Sequence, residues 1–317
     1  MALTRRAFAM GSLTAPFLVG RAYAAATVTQ GLAFGSTWRL VSGTPLVPSA
    51  HAAIADIIAR VDEQMSPYRT ESDLSRFNRF HGDQWQHAPE ELCAVTRAAL
   101  DIARFTNGAF DPTIGPVVQR FGFGPIEGRS GHFQFISAGH NGLRKQDPDL
   151  TLDLCGIAKG YALDQITLAL LDNGIGDFML ELGGEVRAQG LHPSGREWRI
   201  AIEDPASTTL AARHVVVPGD MALATSGHRA NGLSGPIATS HIIDPQNQRP
   251  VSPHAASVSV LAETAMQADA LATALTAMGS QGPEFAQEHD LSALFLLSLP
   301  APRAHILTGS FAAHILV

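Results

Sequence analysis

Asp177-Phe178-Met179-Leu180-Glu181-Leu182-Gly183-Gly184-Glu185-Val186-Arg187-Ala188-Gln189 carries two short apolar-rich runs joined by paired glycines. The pattern reads as a β-hairpin, because glycine accepts the backbone angles a tight turn demands. Upstream, Ile157 to Asp172 has helical apolar spacing and is closed by Gly174, and Thr151 to Leu154 reads as a short strand. Strand, helix and hairpin in one stretch mark a mixed fold.

The pattern extends in both directions. Ala50 to Met65 repeats Ile54, Ile57, Ile58, Val61 and Met65 at helical spacing. Ser72 to Phe80 and Pro89 to Thr106 are further helices, the second stopped by Gly108. Downstream, strands are expected at Trp198–Glu203, Arg213–Val217, Met221–Thr225, Ala256–Leu261, Ser292–Leu297 and Ala304–Leu307. Thr264 to Met278 is a helix ended by Gly279. No repeat with a period of roughly 20–50 residues is present, which excludes solenoids and propellers. One compact α+β or α/β unit with a helical N-terminal lobe is expected.

Composition narrows the function. The 317 residues are 45% hydrophobic and 16% charged, with a net charge of -7. That excludes a disordered chain, and the acidic balance argues against a nucleic-acid binder. Lys145 and Lys159 are the only lysines among the 22 basic residues.

Residues 1–24 read as an export signal. Thr4-Arg5-Arg6-Ala7-Phe8 resembles the twin-arginine motif, an apolar run follows, and Ala22-Tyr23-Ala24 offers a cleavage site. A periplasmic mature chain of residues 25–317 is expected, without a membrane-spanning segment, since no later run reaches roughly 18 apolar residues. Cys93 and Cys155 are expected as two buried thiols rather than a disulfide.

Three segments carry chemistry. In Asp153-Leu154-Cys155-Gly156-Ile157-Ala158-Lys159-Gly160, a helix start with a lysine in its first turn suits a phosphate group. It equally describes a tight turn with a solvent lysine. On the helix from Thr264, Asp269 and Thr273 lie four apart on one face. This hard-oxygen pair suits Mg²⁺, or else Asp269 bonds locally and Thr273 faces the core. Ser240-His241-Ile242-Ile243-Asp244-Pro245 follows Ala224 to Gly227, and its His241 is either a general base or structural. Gly183-Gly184-Glu185 reads as no more than a hairpin turn. No Walker, dinucleotide-binding, zinc or Ser-His-Asp pattern is present.

Taken in order, these stretches resemble the FAD:protein FMN transferase (ApbE) family. Met65-Ser66-Pro67-Tyr68-Arg69, Ser75-Arg76-Phe77-Asn78, Phe110 to Pro116, Phe121 to Gly124, Asp153 to Asp164, Leu182-Gly183-Gly184, Ala224 to Gly227, His241 to Pro245 and Thr264 to Thr273 carry the likeness. The resemblance implies a single α+β unit with a mostly antiparallel sheet flanked by helices. It implies a Mg²⁺-dependent enzyme that splits FAD, joins FMN through a phosphoester to a Thr or Ser of a target flavoprotein, and releases AMP. The expected acceptor is a membrane-associated redox subunit. FAD hydrolysis to free FMN and AMP is the alternative, and a periplasmic flavin-binding protein without turnover is another.

By family position, flavin or adenine contacts fall on Phe34, Tyr68, Ala109, Phe110, Asp111, Asp153, Lys159 and Ile243. Metal ligands fall on the Gly156 carbonyl and the side chains of Asp269 and Thr273. The family usually has Met at Phe34 and an aromatic where His228 or Arg229 stands. Some members have an acid at Ala272. Lys159 and His241 are the expected catalytic groups, His241 as the base.

Overall fold

The computed structural model describes residues 26–205, 207, 209, 211–227, 240–252, 254–298 and 304–316. The expected signal at 1–24 and the position of His228 and Arg229 lie outside these. The helices are α1 (Pro48–Met65), α2 (Asp73–Arg79), α3 (Glu90–Phe105), α4 (Gly115–Arg120), α5 (Ala158–Asp172), α6 (Ala265–Ala277) and α7 (Gly282–Glu288). The first seven strands are β1 (Thr27–Ala33), β2 (Ser36–Ser42), β3 (Gln86–His87), β4 (Ile136–Ala138), β5 (Gly142–Lys145), β6 (Phe178–Leu182) and β7 (Glu185–Gln189). They continue with β8 (Ile200–Glu203), β9 (Ala212–Val216), β10 (Ala222–Gly227), β11 (Ile243–Asp244), β12 (Arg249–Pro250), β13 (Ala255–Ala262), β14 (Ser292–Leu297) and β15 (His305–Thr308). Among the described residues, no helix is long and apolar enough to cross a membrane.

One eight-stranded sheet organises the molecule, in the order β1-β2-β6-β7-β10-β13-β14-β15. Every pairing in it is antiparallel. The fold is therefore α+β with an antiparallel sheet flanked by helices.

Both faces of this sheet are buried, and side-chain alternation decides which residue goes where. Leu40, Phe178, Leu180, Ala224, Val260 and Phe295 pack toward α1, α5 and α6 in the larger core. Their sequence neighbours Val41, Met179, Leu223, Leu261 and Leu294 point the other way. There they meet Trp198, Phe311 and the β8–β9 hairpin. Apolar burial on the two faces is the main stabilising term.

Local signals set the helix ends. Ser72 caps α2 by accepting from the Ser75 amide at 3.0 Å. Helix α1 starts with Pro48 at its first turn, where no amide is needed.

The expected strand at Thr151–Leu154 does not form. Its backbone is bonded elsewhere: Asn78 Nδ2 donates to the Leu152 carbonyl at 2.8 Å, and Asn78 Oδ1 accepts from the Leu152 amide at 2.7 Å. The Asp153 amide donates to the Pro112 carbonyl at 2.7 Å. A side-chain amide and a loop carbonyl occupy the groups that a neighbouring strand would have used.

Candidate active site

Two helices distant in sequence build the floor of the site. Helix α5 sends Asp164 to the start of α6, where its carboxylate accepts from the Ala265 and Met266 amides at 2.8 and 2.9 Å. Thr264 adds the local cap, accepting from the Gln267 amide. Gly160 lets the helices touch: a Cβ there would lie 2.3 Å from the Ala265 carbonyl oxygen. One turn into α6, Asp269 returns the contact, its Oδ2 accepting from the Gly160 amide at 3.1 Å. Its Oδ1 is then 3.7 Å from Lys159 Nζ.

The third participant comes from the sheet. Gly183 and Gly184 turn the β6–β7 hairpin with φ of 66° and 117°, in the left-handed region that favours glycine. Glu185 follows, pairs across the hairpin with Leu182, and forms an ion pair with Lys159. Glu185 is 3% exposed, and its Oε2 has no hydrogen-bond partner among the described residues. Burial pushes the Glu185 carboxyl above its usual range, with Lys159 opposing the shift. Burial works to lower the lysine, but Asp269 and Glu185 outweigh it and hold the ammonium above its usual range.

Thr273 lies one turn beyond Asp269. A Cβ on Gly156 would stand 3.3 Å from Thr273 Oγ1 and 3.2 Å from the Phe110 ring, so only glycine fits this contact easily. Ser226 Oγ approaches Thr273 Oγ1 at 3.5 Å. One carboxylate, a hydroxyl and a packed glycine backbone thus converge, with the unpartnered Glu185 oxygen nearby. Among the described residues no three His, Cys, Asp or Glu side chains form a metal cluster. An oxygen set with few protein ligands fits Mg²⁺, which keeps water and substrate phosphate in its shell.

These groups open into a cavity of about 930 Å³, near the upper end of the range for small-molecule sites. Phe34, Tyr68, Ala109 and Phe110 line it, as do Asp111, Asp153, His241 and Ile243. Phe34 occupies a two-residue hairpin turn with φ of 50°, followed by Gly35 at 70°. A non-glycine residue rarely adopts this backbone, which here sets the ring in the cavity wall.

Asp111 accepts from the Thr113 amide and hydroxyl at 2.8 and 2.6 Å, and Asp153 accepts from the Cys155 amide at 2.9 Å. Burial raises both carboxyls. The His241 ring stands edge-on to Phe123, 6.0 Å between centroids.

The residues expected as flavin contacts, metal ligands and catalytic groups therefore all line one cleft, but only some touch each other. Lys159 contacts Glu185 and stands 3.7 Å from Asp269, while Gly156 packs on Thr273 and Phe110. The thiol expectation needs correction. Both cysteines are free, but only Cys93 is buried; Cys155 is exposed in the cleft. Glu185 is the residue that sequence reading missed. Its signal was alternation, since the partner of Leu182 in a tight hairpin shares its buried face.

A deep cleft lined by Lys159 and Arg69, hard oxygens and several rings defines a site for an anionic, ring-bearing ligand. The sequence pattern of the ApbE family matches residues 34–295, and the chain belongs to that family. It is 35% identical over 257 residues to the FAD:protein FMN transferase of Vibrio cholerae, covering 76% of this chain and 77% of that one. The Salmonella typhimurium protein of the same name is 32% identical over 296 residues, with 86% and 84% covered. Among solved structures, the flavin transferase ApbE of Vibrio cholerae superposes with a TM-score of 0.82 at 32% identity, covering 92% of this chain and all of that one. The apo Pseudomonas stutzeri flavinyl transferase ApbE gives 0.80 at 29% identity, with 92% and 96% covered. The named relatives are enzymes, and so is this chain.

Proposed function

We propose that the chain is a Mg²⁺-dependent FAD:protein FMN transferase that joins FMN to a Thr or Ser hydroxyl of an acceptor flavoprotein and releases AMP. The observation that carries this reading is the convergence of Lys159, Asp269 and Thr273 in the cavity that Phe34, Tyr68 and Phe110 line. The names of the relatives support it.

The rings of Phe34, Tyr68 and Phe110 supply apolar cover for flavin or adenine, and Ala109 and Ile243 narrow the space between them. Asp111 and Asp153, with carboxyls raised by burial, are suited to hydrogen bonds with polar ring edges. Lys159 neutralises pyrophosphate charge with a single ammonium in an otherwise acidic protein. Asp269, Thr273 and the Gly156 carbonyl are the residues that would hold Mg²⁺, which supplies further charge neutralisation on the phosphates when bound. The acceptor oxygen bonds to the flavin-side phosphorus, the bond to the bridging oxygen breaks, and AMP departs with that oxygen. His241 receives the hydroxyl proton.

The test is incubation with FAD, Mg²⁺ and a fragment of a membrane-associated redox subunit carrying the acceptor Thr. Mass spectrometry should find FMN added to the fragment and one AMP released per addition. Free FMN and AMP without labelling would mean a hydrolase, and FAD bound without AMP a carrier.

For residues 1–24 we propose twin-arginine export to the periplasm. A precursor with Arg5→Lys and Arg6→Lys should stay in the cytoplasm; normal arrival in the periplasm would overturn this.

A further inference from the structure

We infer that Glu185 is a positioning residue that holds the Lys159 ammonium away from Asp269, keeping the Asp269 carboxylate available to a divalent cation. The inference rests on the metal reading of Asp269 and Thr273 given above. Three groups carry it: one ammonium, and two buried carboxylates on either side of it.

Lys159 Nζ is in direct contact with Glu185 Oε1 but 3.7 Å from Asp269 Oδ1. The ammonium is thus engaged by the sheet and only approached by α6. Asp269 spends its other oxygen on the Gly160 amide. Oδ1 is therefore the oxygen that a cation and Lys159 would contest.

The hairpin is shaped for this arrangement. A Cβ on Gly183 would lie 3.4 Å from both Lys159 Cδ and Glu185 Oε2. The glycine turn thus closes on the lysine stem, and Glu185 is delivered to it by the first residue of β7. Without the Glu185 charge, the partly exposed ammonium has one carboxylate left, and a small shift would seat it on Asp269 Oδ1. Lysine and cation would then exclude each other.

The experiment measures cation binding to the FAD-free full-length chain, by Mn²⁺ electron paramagnetic resonance with Mg²⁺ competition. Wild type, Glu185→Gln, Lys159→Met and the double variant are compared, with thermal melts as a folding control. Glu185→Gln should weaken binding roughly tenfold, about 1.4 kcal/mol. The double variant should return to within about threefold of wild type, because the competing ammonium has gone. A purely structural role for Glu185 would leave the double variant as weak as the single one, and that result overturns the proposal. So does unchanged binding in Glu185→Gln. If wild type binds no divalent cation, the metal reading fails and this inference with it; binding without a Glu185 effect sinks the inference alone.

Discussion

The two lysines of the chain sit in pockets built on opposite plans. Lys145, at the end of β5, is wholly buried and donates to the Leu150 and Asn78 carbonyls at 2.8 and 3.1 Å. Its Nζ lies 5.3 Å from the Phe77 ring centroid. Burial pulls its ammonium down to about 8, and Asp149 and Asp147 offset only part of that. Lys159 has its side chain 29% exposed to the cleft and keeps two carboxylates beside it, which raise it instead. Carbonyls and a ring make a lysine a tie between loops. Carboxylates at a cleft keep its charge in place for a ligand.

The largest expected break is at Asp269. Asp269→Ala should lower AMP release at limiting Mg²⁺ on the order of 10²–10⁴-fold. It also strands the Gly160 amide, so a melt should show a loss of about 1–2 kcal/mol. Asp269→Asn keeps an acceptor for that amide and should recover stability without recovering rate. Activity of Asp269→Ala within threefold of wild type would sink the assignment.

Exchanging the lysines tests the contrast directly. Lys159→Ala should weaken FAD binding roughly 10–100-fold, the loss of a charge-assisted contact of about 1.5–3 kcal/mol, read by flavin fluorescence. Lys145→Met should leave that titration within about twofold while lowering the melting temperature. Equal FAD affinities for wild type and Lys159→Ala would make Lys159 another structural lysine.

Gly160→Ala should destabilise by about 1–3 kcal/mol, because the methyl overlaps the Ala265 carbonyl and forces α5 from α6. In an unobstructed helix the same change stabilises. A raised melting temperature would therefore disprove the close helix contact.

The smallest effect is a pH slope. Lys145 titrates near 8 folded and near 10.5 unfolded, so between those values the unfolded chain binds more protons. Stability must then rise with pH in that window. Relative to Lys145→Met, wild type should gain on the order of 1–2 kcal/mol from pH 8 to 9.5 and change little below pH 7. A flat difference would mean that the buried ammonium carries no burial cost.

How much of this was legible depends on whether a signal is local. Helices α1, α5 and α6 announce themselves by apolar spacing, and Gly174 and Gly279 mark the ends of the last two. The β6–β7 hairpin is written in Gly183-Gly184. The segment at Thr151–Leu154 misled because apolar alternation says nothing about which partner takes its backbone bonds, and Asn78 takes them. The strand order of the large sheet left no local trace.

Within the site, Lys159, Asp269 and Thr273 stand out by their place in a helix turn. Phe34, Tyr68 and Ala109 come from separate turns and Ile243 from the short strand β11, and only the family resemblance linked them. Glu185 was hidden in plain view as a turn residue. Asp164 was quoted within a motif, yet its capping of α6 depends on a helix that begins 101 positions later.

The bond between Gly160 and Asp269 spans 109 positions of sequence. Closing a loop of that length costs entropy before any contact repays it, and folds rich in such contacts form slowly. During synthesis, helix α5 leaves the ribosome long before Asp269 and Thr273 exist. A nascent chain already holding Lys159 and Glu185 still has no place for a nucleotide. The floor of the cleft, where α5 meets α6, is therefore among the last features the polypeptide acquires.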